Sequence, residues 1–193
     1  RGVVCTDCHD AHSERLKAEG AAVCSQCHLP EKFATEAHSG HPAGPAAPDC
    51  ISCHMPARTY MVVDERHDHS FRIPRPDLSV ALGTPNACNA CHADKTAAWA
   101  ADAVARWHGP HRKGFQTWGE AFHLGRQGDP AARAKLIALA TAPAIPAIAR
   151  ATAISELQRF PSAATASAVA GALADPDPMV RATAVDGLGD RPI

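Results

Sequence analysis

Eight cysteines occur in this 193-residue chain, and they fall into four pairs of one spacing. The pairs are "CTDCH" (Cys5, Cys8, His9), "CSQCH" (Cys24, Cys27, His28), "CISCH" (Cys50, Cys53, His54) and "CNACH" (Cys88, Cys91, His92). Two residues separate the thiols of each pair, and a histidine follows at once. That order suits one chemistry. Two thioether bonds form to the vinyl groups on one porphyrin edge, and the next imidazole turns under the ring to bind iron. The spacing therefore predicts four covalent haem c groups, with His9, His28, His54 and His92 as proximal ligands. Zinc accepts C-x-x-C pairs but gives no reason for a histidine after each one. Disulfides within the pairs would close strained small loops.

Sixth ligands must come from elsewhere in the chain. The other histidines are His12, His38, His41, His67, His69, His108, His111 and His123, and the methionines are Met55, Met61 and Met179. Met55 follows His54 directly and cannot easily reach the opposite face of the same haem. Met179 lies in the alanine-rich tail. Histidine is in surplus, so bis-histidine ligation is expected.

His12 stands three residues after a proximal histidine. His38 and His41 share the loop "TEAHSGHPAG", from which one ligand is expected. His67 and His69 lie in "DERHDHSFRIPRP", residues 64–76. They are expected in an extended segment, with only one of the two meeting a given haem. Pro74 and Pro76 argue against helix beyond them, and Arg66, Arg72 and Arg75 are available for haem propionates. His108 and His111 flank Gly109 and Pro110 after a helix predicted over 94–107, and both are expected in exposed loop. His123 sits on a second helix starting at "TWGE", where Thr117 and Glu120 have capping-box spacing. The wheel gathers Trp118, Ala121, Phe122 and Gly125 on a face away from His123. Gly119 on the His123 side would admit a flat ring, so both roles stay open for His123.

The elements that position these residues follow from composition. Every cysteine lies in residues 5–91, whereas the last hundred residues are alanine-rich and periodic. Aromatic residues make up only 5 % of the chain, which fits a first part whose core is built from macrocycles. The formal net charge of −1 and pI near 6.9 offer no basic field for nucleic acid. No run reaches the ~18 apolar residues of a membrane helix. Arg1 is not an initiator methionine, so the N-terminus is expected to be processed or internal to a longer chain. "IARATAISEL" (148–157) aligns with "MVRATAVDGL" (179–188) at a period of 31 residues. Helices are predicted over 131–140, 146–159, 162–174 and 178–188, as stacked helix pairs. The second copy stops at "GDRPI" without a partner helix, so the repeat segment is expected to be incomplete or to dock on something. The predicted fold is mainly α with extensive irregular loops. A tetrahaem c-type cytochrome module spans 1–128, and C-terminal α-helical HEAT-like repeats span 129–193.

The four motifs, together with "CHMPARTYMVVD", "DHSFRIPRPDLS" and "GTPNACNACHADK", resemble a family of multihaem c-type cytochromes. In that family a doubled C-x-x-C-H region precedes HEAT-like or tetratricopeptide repeats. The resemblance implies a periplasmic or extracellular electron carrier with bis-histidine haems. It favours His12, His38 or His41, His69 through "DHSF", and His123 as distal ligands. The implied partners are redox proteins or further cytochrome copies, with an oligomer or a conductive filament as possible assemblies. The competing expectation is an oxidoreductase of nitrite or hydroxylamine type, which needs one open iron. No proximal histidine is replaced here, by lysine for example, so electron transfer without catalytic residues is the expected role.

Overall fold

The computed structural model describes residues 2–44, 47–110 and 117–189. The chain divides into two compact units, Arg1–Lys113 and Gly114–Ile193.

In the first unit each cysteine pair forms a short helical turn. These are α1 (Cys5–Cys8), α2 (Ala22–Ser25), α5 (Cys50–His54) and α7 (Cys88–Cys91), with α3 (Pro30–Phe33) and α4 (Glu36–Ser39) between the second and third. A helical turn brings residues i and i+3 to one face, which is what two thioethers to one porphyrin edge require. Asp49 caps α5 by accepting the Ser52 N–H at 2.9 Å. A hairpin follows, with β1 (Ala57–Tyr60) antiparallel to β2 (Asp64–His67) and Ala57 opposite His67. Met61 and Val62 at its tip take positive φ of 49° and 74°, a costly conformation for a β-branched residue. The unit ends with α6 (Pro76–Leu82) and α8 (Ala97–His108), which pack on each other. Thr96 caps α8 by accepting the Trp99 N–H at 3.1 Å.

Two expectations about residues 64–76 are corrected. The strand stops at His67, so the extended segment does not reach His69, which lies in a turn. Phe71 follows in the left-handed region at φ 48°. Helix also does occur after the prolines. Pro76 opens α6 as its first residue, where a missing N–H costs nothing and the fixed φ suits the helix.

The second unit is a set of helices: α9 (Gly119–Gln127), α10 (Ala132–Ala140), α11 (Ala147–Leu157), α12 (Ala163–Ala172) and α13 (Pro178–Gly189). The last four lie on the spans expected from periodicity. Helix α9 packs on α10 and α11, and Ala121 joins Leu136, Ile154, Leu157, Val169 and Val180 in one core. It therefore falls with the second unit, whose division at 113/114 precedes the expected 128/129. Trp118 occupies the N-cap of α9 and makes no side-chain cap bond. The helix starts one residue late for a Thr117–Glu120 capping box, so that box does not form.

Helix α10 packs on α11 and α12, and α13 packs on α11 and α12. The two sequence copies make matching bonds. Thr152 Oγ1 donates to the Ile148 carbonyl and Thr183 Oγ1 to the Met179 carbonyl, at 2.7 and 3.0 Å. Arg150 reaches the carbonyl of Ile145, and Arg181 reaches that of Pro176. The buried Arg150 also clasps Asp175, Nη2 to Oδ1 at 2.7 Å, tying α11 to the turn before α13. This guanidinium holds the Asp175 carboxyl below the usual carboxylate range.

Candidate haem-ligand site

In the first unit the motif turns deliver each proximal histidine from a fixed backbone. The N–H of His9, His28 and His92 bonds back to the first cysteine of its own motif, at 2.8, 3.0 and 2.9 Å. In two of the four motifs the imidazole is then oriented by a backbone carbonyl. His9 Nδ1–H donates to Glu14 at 2.7 Å, and His54 Nδ1–H donates to Arg72 at 2.8 Å. The same device recurs outside the motifs. His41 donates to Ser39 at 2.8 Å, His67 to Met55 at 2.8 Å and His69 to His67 at 2.9 Å. A carbonyl on Nδ1 fixes the tautomer and leaves Nε2 free as a metal ligand.

Three proximal rings each stand beside a histidine from elsewhere in the chain. His9 and His69 have ring centroids 6.3 Å apart, with planes inclined at 32°. His54 and His38 are 6.0 Å apart at 19°, and His92 and His41 are 6.2 Å apart at 25°. An imidazole nitrogen binds a first-row metal at about 2.0–2.1 Å, and the ring centroid lies about 1.1 Å beyond, so two imidazoles on opposite faces of one iron have centroids about 6.2 Å apart. Ordinary ring contacts scatter over about 4.5–7 Å. The three pairs fall at 6.0–6.3 Å with planes inclined by 19–32°, and each joins one motif histidine to one non-motif histidine, whereas the His38–His108 contact at 6.1 Å joins two non-motif rings at 61°. The residues present therefore fit haem iron. By contrast, no three His, Cys, Asp or Glu side chains gather into a metal-sized cluster among the described residues, as tetrahedral zinc would need.

The environment favours neutral, ligand-competent donors. Burial lowers the His38 pKa below the ordinary imidazole value, and the nearby His54, His108 and His28 lower it further. Burial pushes the Cys24, Cys53 and Cys88 thiols up.

His28 meets Phe33 edge-on at 5.3 Å, and Phe33 meets His38 in the same way at 5.3 Å. His12 lies in an exposed turn where its N–H donates to Asp10 at 3.2 Å. His123 is on α9, in the second unit. Both stand outside the three ring pairs. Both His38 and His41 pair with a proximal ring, where only one ligand was expected from their loop. His108 is not simple exposed loop: it ends α8, its Nε2–H donates to the His38 carbonyl at 3.1 Å, and its ring lies 6.1 Å from that of His38. His111 lies outside the described residues.

The arginines of 64–76 already have carboxylate partners. Arg66 pairs with Asp64, Arg72 with Asp68 and Arg75 with Asp77, at 2.6, 2.7 and 2.6 Å. Sequence reasoning overlooked two tryptophans on α8. Trp99 lies 4.8 Å from His92, and Trp107 lies 5.9 Å from His41. The signal was there in "CHADKTAAWAADAVARWH", where two of the three tryptophans of the chain follow a haem motif on one predicted helix.

No curated protein and no solved structure matches the chain. A family model described as the doubled CXXCH motif matches residues 1–33, which hold the first two cysteine pairs. This region is thereby similar to multihaem c-type cytochromes, whose paired motifs attach haem c covalently for electron transfer.

Proposed function

We propose that the chain is a tetrahaem c-type cytochrome that carries electrons and transforms no substrate. The observation that carries this reading is the set of three histidine pairs at 6.0–6.3 Å, each built on a different C-x-x-C-H motif. In this assignment His9 and His69, His54 and His38, and His92 and His41 are the axial pairs. His28 is the proximal ligand of the remaining haem, and His12 and His123 are the candidates for its sixth position. Bound haem supplies a one-electron ferric/ferrous couple. The chain contributes fixed axial ligands, so little rearrangement accompanies a change of oxidation state. Carbonyl-pinned imidazoles serve that purpose, because the donated hydrogen bond holds each ring in place and raises its basicity.

The alanine-rich unit is a HEAT-like segment that docks redox proteins or further copies of the cytochrome, in an oligomer or filament. Its matching threonine and arginine bonds, repeated after 31 residues, support this reading. Covalent haem attachment and paired motifs favour an exported protein, periplasmic or extracellular. No helix among the described residues is long and apolar enough to cross a membrane.

EPR and near-infrared spectra of the haem-loaded protein test the carrier reading. Bis-histidine low-spin signals at three or more irons, with no nitrite or hydroxylamine turnover, are expected. A dominant high-spin component accompanied by such turnover overturns it in favour of an oxidoreductase.

A further inference from the structure

The loop carrying His38 and His41 is held by the end of one helix. Gly40 lies between the two histidines and caps α4 at φ 70°, a left-handed conformation that turns the chain sharply. The turn brings the backbone against the Trp107 indole, and a Cβ on Gly40 would overlap the six-membered ring of that indole. Trp107 also packs on His41 at 5.9 Å. The next residue, His108, donates from Nε2 to the His38 carbonyl at 3.1 Å. Two turns earlier on the same helix, Trp99 packs on His92 at 4.8 Å. Successive side chains at the C-terminal end of α8 thus grip both histidines of the strap. A third side chain braces the imidazole across from His41.

We infer that α8 is a positioning clamp that sets the distal ligands of the third and fourth haems together, with Trp107 against Gly40 as its central contact. This rests on the axial assignment proposed above. His38 pairs with His54 of the third motif and His41 with His92 of the fourth, so one strap of four residues serves two irons. Their Cα atoms can be no more than about 10 Å apart even in fully extended chain. A shift of the strap moves both imidazoles at once, and none of the residues gripping it is itself a ligand. Neither His38 nor His41 can be repositioned without the other, which couples the two haems mechanically.

The test compares Gly40→Ala, Trp107→Ala, Trp107→Phe and the double variant Gly40→Ala/Trp107→Ala in the haem-loaded protein, read by low-spin EPR intensity and redox titration. Gly40→Ala is expected to remove low-spin signal from two haems together, about half of the four-haem total. Trp107→Ala should shift the potentials of the same two haems, and Trp107→Phe should retain most of the wild-type spectrum. With the indole gone the overlap is relieved and only the left-handed strain of an alanine at φ 70° remains, so the double variant should regain part of the signal lost in Gly40→Ala. The inference is overturned if Trp107→Ala leaves both haems unchanged, or if the Gly40→Ala defect persists in full in the double variant. His38→Ala and His41→Ala separate this from the assignment beneath it. If each opens one different iron, the axial assignment stands and the clamp is judged by the other variants. If neither does, the assignment itself has failed and the clamp falls with it.

Discussion

Replacing His69 by alanine gives the sharpest reading of the ligand assignment, because His67 provides an internal control two residues away. Both imidazoles are exposed and both donate Nδ1–H to a backbone carbonyl, His67 to Met55 and His69 to His67. They differ in what lies across from them. His69 faces His9 at 6.3 Å, close to the about 6.2 Å expected for two imidazoles on one iron. His67 belongs to none of the three pairs. The thioethers of Cys5 and Cys8 do not depend on the sixth ligand, so His69→Ala should keep its full haem count. One iron in four then loses an axial imidazole, and about a quarter of the low-spin EPR intensity should convert to high-spin. Added imidazole should fill the gap left by the ring and restore the signal, and cyanide should bind one iron per chain. His67→Ala should leave the spectrum unchanged. The reasoning is refuted if His67→Ala opens an iron while His69→Ala does not.

Replacing both Cys24 and Cys27 by serine should lower the covalent haem count by one, read by intact mass, while either single change should leave the haem held by one thioether. Asp175→Ala strands the buried Arg150 guanidinium and should cost the second unit about 3 kcal/mol, read by chemical denaturation. Because Arg150 depresses the Asp175 carboxyl, that stabilisation is complete above its unfolded value near pH ~3.9 and is lost as pH falls through the lower folded value, which acid titration of the wild type against Asp175→Ala would register. Leu136→Ala empties a fully buried site and should cost about 2–5 kcal/mol by denaturation without altering the low-spin spectrum, since Leu136 belongs to the core of the second unit.

The cysteine motifs were legible because their chemistry is local. Five consecutive residues carry the whole message, and a single helical turn realises it. The alanine-rich helices were legible for a related reason, since their periodicity and turn residues recur over short spans. The long-range histidine pairs were harder. His41 and His92 are 51 positions apart in sequence, and nothing local joins them. His69 leaves the extended segment because the strand partner of β2 runs out at Ala57, a limit set by pairing across the hairpin and not by the residues of 64–76. Position in a repeat also failed to determine burial. Ile154 is fully buried, whereas its counterpart Val185 is 59 % exposed, because α13 covers one copy and the sequence period records only equivalence.

The two units reach order by different physical routes, and that difference explains why the ligand histidines are held as they are. The second unit buries Leu136, Ile154, Leu157, Val169 and Val180 completely, with alanines letting its helices approach closely. In the first, the buried apolar side chains among the described residues are Val23, Pro76, Ala100, Ala103 and Val104, all of them small or medium. Val3, Val4, Leu16, Leu29 and Phe71, which flank the motifs and the ligand strap, are about half exposed or more on the protein alone. Apolar surface of this kind gains about 25 cal/mol per Å² when covered. The four tethered macrocycles proposed above would cover it and bring the apolar area that the side chains do not supply. A unit organised in this way cannot rely on side-chain packing alone to orient an imidazole, because much of that packing would come from the cofactor itself. The orientation has to be written into the backbone. Nδ1 bonds to the carbonyls of Glu14, Ser39, His67 and Arg72 achieve this for four of the six paired rings; for the other two, α8 packs Trp99 on His92 and donates from His108 to the His38 carbonyl.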